Sequence, residues 1–153
     1  ENFSKFAVEF NNLINGKWKI IYKLHPGEYA NWKKRYPWLV NSGIEVVDSL
    51  RHNIYEYFAV SNVQVGVSST AIFEGLGFGL DTFIFNTVSA ECMKRLCQDG
   101  FAAEVNSAKE LADKLEKNIK SKKNKDKLFW KENAFNNLCV EINKCIDSTT
   151  ACS

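Results

Sequence analysis

Between Val63 and Phe85 the sequence reads VQVGVSSTAIFEGLGFGLDTFIF. Two apolar, β-favouring runs, Val63 to Val67 and Thr82 to Phe85, flank a stretch from Ala71 to Phe78 that repeats apolar residues at helical spacing. Parallel strands need a crossover of about a dozen residues or more, usually a helix, so this order predicts two parallel neighbours. The rest of the chain repeats the alternation. Asn2 to Asn15 predicts a helix stopped by Gly16, and Lys19 to Leu24 a strand running into His25-Pro26-Gly27. Glu28 to Val40 reads as helical despite Pro37, Ile44 to Val47 as a strand ending at Asp48, and Asn53 to Val60 as a helix with Ile54, Tyr57 and Phe58 inward. Glu91 to Gln98 is a further helix closed by Gly100, and Ala102 to Val105 a last strand. A helix then starts at Ser107 as N-cap, with Glu110 at the capping-box position. The expected fold is α/β: a Rossmann-like, three-layer parallel sheet flanked by helices.

A chain of 153 residues with 45% hydrophobic content suits one core, so residues 1–153 are expected to form a single domain. An amphipathic C-terminal helix, placed at 129–147, is expected to pack back on the sheet through Phe129, Phe135, Leu138, Ile142 and Ile146. Lys plus Arg number 20 against 18 Asp plus Glu, a balance that gives no nucleic-acid footprint, so any anion must be met locally. No apolar run approaches the ~20 residues of a transmembrane helix, and the charged start from Glu1 to Glu9 lacks a signal-peptide pattern. The five cysteines, odd in number and without zinc-like spacing, are expected as reduced thiols in a cytoplasmic protein. The segment Lys117 to Lys131, which contains KSKKNKDK, reads either as a solvated helix end and linker or as a peripheral contact for an anionic inner membrane face. No metal site and no cofactor are expected.

In an open α/β sheet, ligands sit beyond the carboxyl ends of the strands. His25, Asp48 and the trio Ser68, Ser69 and Thr70 fall at such ends. The trio precedes a helix, whose first N–H groups and dipole attract an anion, and three hydroxyls exceed what one N-cap uses. A phosphate fits there. Glu74 is out of register for a capping box with Ser69 or Thr70, which leaves its carboxylate for another partner; a ribose diol suits it. His25, held on a loop fixed by proline and glycine, can donate to a phosphate oxygen. The glycines of GLGFG lie inside and after the helix instead of opening it, so they do not form a dinucleotide fingerprint.

The order of parts, and in particular SSTAIFEGLGFGLDTFIF, resembles the C-terminal domain of GT-B glycosyltransferases over roughly Lys17 to Leu115. The resemblance implies that Glu74 takes the ribose and that Ser68, Ser69 and Thr70 take the phosphate of a nucleotide-sugar donor. The segment YKLHPGE resembles the HP motif of bacterial sialyltransferases and polysialyltransferases, and also that of the CDP-glycerol glycerophosphotransferase family, which implies a phosphate contact for His25. The implied donor is CMP-, CDP- or UDP-linked, and the implied product a bacterial surface polysaccharide, capsular or lipopolysaccharide. A glycerophosphotransferase, a sugar-nucleotide 2-epimerase-like domain and a non-catalytic interaction module are the alternatives. Asp81 stands where the family has proline before the next strand. The family's N-terminal acceptor domain has no counterpart here, and a helix opens the chain where the family has a central strand. The expectation is therefore a donor half that binds nucleotide weakly and is inactive alone.

Overall fold

The computed structural model describes residues 1–118 and 132–150, the last six of these by their backbone alone. Its strands pair only in parallel: β1 (Ile21–Lys23) with β2 (Glu45–Val47), and β4 (Asp81–Phe85) between β3 (Val63–Gly66) and β5 (Ala103–Val105). Register sets Ile21 opposite Glu45, Gln64 opposite Thr82, and Phe83 opposite Ala103. The chain is thus α/β with parallel strands, but the one continuous sheet expected from the alternation is divided into two. Among the described residues no ladder joins β1 to β3, and each of these two strands keeps an open edge.

The side-chain period of a strand explains the layers around β4. Phe83 and Phe85 point to one face, where they meet Phe6, Phe10, Val105 and Leu111. Ile84 points to the other and joins Ile72, Leu76, Met93 and Leu96. The first face is covered by α1 (Asn2–Ile14) and α6 (Ala108–Glu116). The second is covered by α4 (Thr70–Gly77), a 3-10 turn at Val88–Met93 and α5 (Lys94–Gln98). A strand buried on both sides needs apolar residues in succession, which is what FIF supplies. The smaller sheet has its own cluster, in which Leu24 and Ile44 pack with Ala7, Trp32, Tyr36 and Leu39.

Three local expectations change. The helix expected over Glu28 to Val40 is broken into a 3-10 turn at Pro26–Glu28, α2 (Trp32–Arg35) and a second 3-10 turn at Pro37–Leu39. Pro37 lacks an N–H and keeps Tyr36 out of the helical region, at φ −128° and ψ 60°. Of the residues placed inward on α3 (Ile54–Ala59), Phe58 is buried while Ile54 and Tyr57 are half-buried. On α7 (Ala134–Thr150), Phe135, Leu138 and Ile142, expected against the sheet, are exposed. A helical apolar stripe shows which face is apolar and carries no information about what covers it. Phe129 and the Ile146 side chain lie outside the described residues, as do 119–131 of the lysine-rich segment. No helix among the described residues is long and apolar enough to cross a membrane. Cys92, Cys97 and Cys139 are free thiols, and burial pushes the Cys97 thiol up.

Helix α4 sits close on β3 because Gly75 has no side chain. A Cβ there would run into the Gln64 amide, which is itself fixed by donating to the Ile72 carbonyl (2.8 Å) and to Thr82 Oγ1 (2.9 Å). Alanine normally favours a helix over glycine by about 1 kcal/mol. At this position the clash has a rigid, hydrogen-bonded partner, and overpacking costs about 1–3 kcal/mol. Gly75→Ala is therefore expected to destabilise the protein, read as a lower urea midpoint with an unchanged m-value; a higher midpoint would mean that Gln64 yields.

Candidate functional site at the strand carboxyl edge

The orientation of α1 puts the two sheets in one frame. Near its first turn, the Phe3 ring lies 5.8 Å from that of Tyr22 in β1 and 6.1 Å from that of Phe85 at the end of β4. Near its other end, Asn11 donates to the Ser42 carbonyl (2.8 Å) just before β2 begins. Helix α1 thus runs against both sets of strands, and their carboxyl ends share the edge at which α1 starts. His25 and the Ser68–Thr70 trio both stand on this edge, one beyond each sheet, and no side-chain contact joins them among the described residues.

Ser69 is the N-cap of α4: its hydroxyl accepts from the Ala71 N–H at 3.2 Å, and Thr70 opens the helix. Ser68, Ser69 and Thr70 are all exposed. A hydroxyl that accepts one hydrogen bond keeps its own proton to donate, so capping by Ser69 does not remove it from a ligand. Glu74, one turn further along, is half-buried, and its carboxylate has no hydrogen-bond or ion-pair partner among the described residues. Asp48 is otherwise engaged: it accepts from the Trp32 indole N–H at 2.7 Å and so ties β2 to α2.

His25 caps the turn that follows β1. Its Nδ1 accepts from the Gly27 N–H (3.2 Å), so the neutral ring carries its proton on Nε2, on an exposed side chain. The loop is held by Glu28, whose carboxylate accepts from the His25 backbone N–H at 3.2 Å and from the Tyr36 hydroxyl. Arg35 lies 3.5 Å away. Burial alone would raise the Glu28 pKa; the Tyr36 and His25 hydrogen bonds and the Arg35 charge outweigh it and hold the carboxyl below its ordinary 4.5. Sequence reasoning passed over Glu28, although an acid three residues after a capping side chain was a usable signal.

Other residues of this edge were also passed over. Asn86 follows β4 and donates to Asn106 Oδ1 (2.9 Å), which follows β5. The expected capping box at Ser107 is half formed: Ser107 Oγ accepts from the Glu110 N–H at 3.1 Å, but the Glu110 carboxylate turns to the Asn106 backbone N–H (2.8 Å) and to Lys114 (3.0 Å). The Asn106 N–H, then Lys114, lower its pKa. Thr87, after Asn86, has a buried Oγ1 without a hydrogen-bond partner among the described residues, a placement that costs about 1–3 kcal/mol when uncompensated. A polar residue directly after a strand was the available signal for Asn86, Thr87 and Asn106. Among the described residues no group of three or more His, Cys, Asp or Glu could hold a metal ion.

Compared with known proteins, the chain matches no family model, no curated protein and no solved structure.

Glu28 makes the order of this loop dependent on pH. Its pKa is lower in the folded than in the unfolded chain, so its contribution is complete above the ordinary value of 4.5 and fades as pH falls through the folded value. Glu28→Gln is expected to lower Tm by a few degrees at pH 7, about 1 kcal/mol, with the gap to the parent protein closing as the pH is taken below 4.5. Thermal melts of both proteins across pH 3 to 7 would check this; a constant gap would assign the loss to packing.

Proposed function

We propose that the chain is the donor-nucleotide-binding domain of a GT-B-type glycosyltransferase that builds a bacterial surface polysaccharide. The observation that carries the reading is the pairing of three exposed hydroxyl residues at the start of α4 with the half-buried, unpartnered carboxylate of Glu74 on the same helix. An anion at the first turn of α4 would meet the positive end of the helix dipole and the hydroxyls of Ser68, Ser69 and Thr70, while the Ala71 and Ile72 N–H groups are engaged by Ser69. The acceptor-only carboxylate of Glu74 is matched to two adjacent hydroxyl donors, as on a ribose.

The chemistry assigned to this chain is leaving-group stabilisation. In displacement at the anomeric carbon, negative charge grows on the nucleotide phosphate as the sugar departs. Donors already in place, from the Ser68, Ser69 and Thr70 hydroxyls and the Nε2–H of His25, together with the α4 dipole, lower the barrier because they need no reorganisation at that moment. Activation of the acceptor hydroxyl falls to groups outside this domain. Glu28 acts as a positioning residue by fixing the His25 loop.

Calorimetric and thermal-shift titration with CMP, CDP, UDP and their sugar conjugates tests the reading. One nucleotide series is expected to bind, adding about 2.7 kcal/mol of stability at 100 times its dissociation constant. His25→Ala and Glu74→Ala are each expected to weaken it by roughly tenfold, in line with one lost hydrogen bond to a charged group. A folded protein that takes up none of these ligands, or whose binding survives both substitutions, would overturn the proposal. Binding confined to CDP or to UDP would move the assignment to glycerophosphate transfer or to the UDP-sugar enzymes.

A further inference from the structure

We infer that the seam between β1 and β3 is a slot for one more parallel β-strand, and that its occupant is an apolar strand from outside residues 1–153 that runs directly into α1. The backbone shows where the slot lies. Glu45 donates to the Ile20 carbonyl (3.1 Å) and Leu24 to the Val47 carbonyl (3.1 Å), which turns Ile20, Tyr22 and Leu24 toward β2. Successive residues of a strand direct their amides to opposite edges, so the N–H and C=O groups of Ile21 and Lys23 face away from β2. In the larger sheet Asp81 donates to the Asn62 carbonyl (3.0 Å), which turns Asn62, Gln64 and Gly66 toward β4 and leaves Val63 and Val65 facing away from it. Among the described residues this leaves two rows of backbone groups without a partner, one on each sheet.

These rows are not closed by each other. Paired neighbours here make a run of close Cα approaches, and no such run joins β1 to β3. Both are half-buried along their whole length, whereas the three central residues of β4, with a strand on each side, are buried. Yet α1 spans the two sheets: Phe6 and Phe10 share a cluster with Ile20, Val63 and Val65, and Ala7 belongs to the cluster of Leu24 and Ile44. One strand between β1 and β3 would lie about 4.8 Å from each and give every one of those groups a partner.

The fold also determines the direction and character of the occupant. A parallel strand in the slot would end at the edge where α1 begins, so the shortest continuation of its chain is into Asn2. The sheet order would become β2-β1-slot-β3-β4-β5, a doubly wound sheet that reverses at the slot. A strand at that central place is covered on both faces, which calls for an almost unbroken apolar, β-branched run. His25 and the Ser68–Thr70 trio would then flank its carboxyl end, the place where such sheets bind ligands.

Amide hydrogen exchange followed by NMR tests this without any nucleotide, so its outcome is independent of the functional reading. In the chain of residues 1–153, the amides of Ile21, Lys23, Val63 and Val65 are expected to exchange fast while those of Tyr22, Gln64 and Gly66 are protected. The probe is a short extension of alternating valine and isoleucine joined directly to Glu1, with a control in which every second residue is proline. The extension is expected to slow the four slot-facing amides by roughly 100-fold or more and to raise Tm, and the proline control to do neither. Slot-facing amides already as protected as their neighbours in the unextended chain would overturn the inference. So would an extension that leaves their exchange unchanged, or protection that appears equally with the proline control.

Discussion

Phe3, Phe6 and Phe10 of α1 reach side chains of both sheets, and no backbone ladder does so in their place. Phe6 and Phe10 are buried, with the Phe6 ring 4.4 Å from that of Phe85. A phenylalanine side chain fully removed from water contributes about 1.5–3 kcal/mol, so two or three on one helix face can hold two short sheets that no strand ladder joins among the described residues. The strand edges, the relative placement of their loops and the common carboxyl edge all depend on this contact. It is non-directional, which is why the sheets can share a core without sharing a ladder.

On that frame the candidate site is built from strand ends. Each polar segment begins where an apolar strand can no longer continue: His25 after Leu24, Ser68 after Val67, Asn86 after Phe85 and Asn106 after Val105. Short-range hydrogen bonds then determine how each segment leaves the sheet. Glu28 holds the His25 turn, Ser69 caps α4, and Glu110 gathers Asn106 and Lys114. Ser68, Thr70, Glu74 and the Nε2 side of His25 are the groups left for something other than the fold. Their chemistry, hydrogen-bond donors with one acceptor-only carboxylate, is what the proposed nucleotide site rests on.

Much of the fold was legible because the relevant signals are local. The change between helical and strand periods located β1 to β5, α1, α3 and α4 to within a residue or two, since each such element satisfies its own backbone or pairs with its neighbour. The helix expected from Glu91, by contrast, starts only at Lys94, after a 3-10 turn. Ser107 was recognisable as a cap because capping is equally local, while the choice of Ser69 among Ser68, Ser69 and Thr70 came from the structure. Errors arose where a choice was made between competing local signals. The aromatic and basic residues of Glu28 to Val40 favour a helix, but Pro37 divides it. At Ser107 the carboxylate of Glu110 had two backbone donors within reach and took the one before the cap.

The sequence by itself determined the parallel α/β character, the succession of elements and the concentration of hydroxyls, histidine and acid at strand ends, because backbone periodicity and capping act over a few residues. Tertiary structure alone decided that the strands divide into two sheets, that Glu28 rather than solvent holds the His25 turn, that the Thr87 hydroxyl is buried without a partner among the described residues, and that Phe135, Leu138 and Ile142 on α7 are exposed. Those outcomes depend on which distant surfaces meet. An apolar stripe or an open strand edge specifies that it needs a partner, and only the packed chain shows whether it has one.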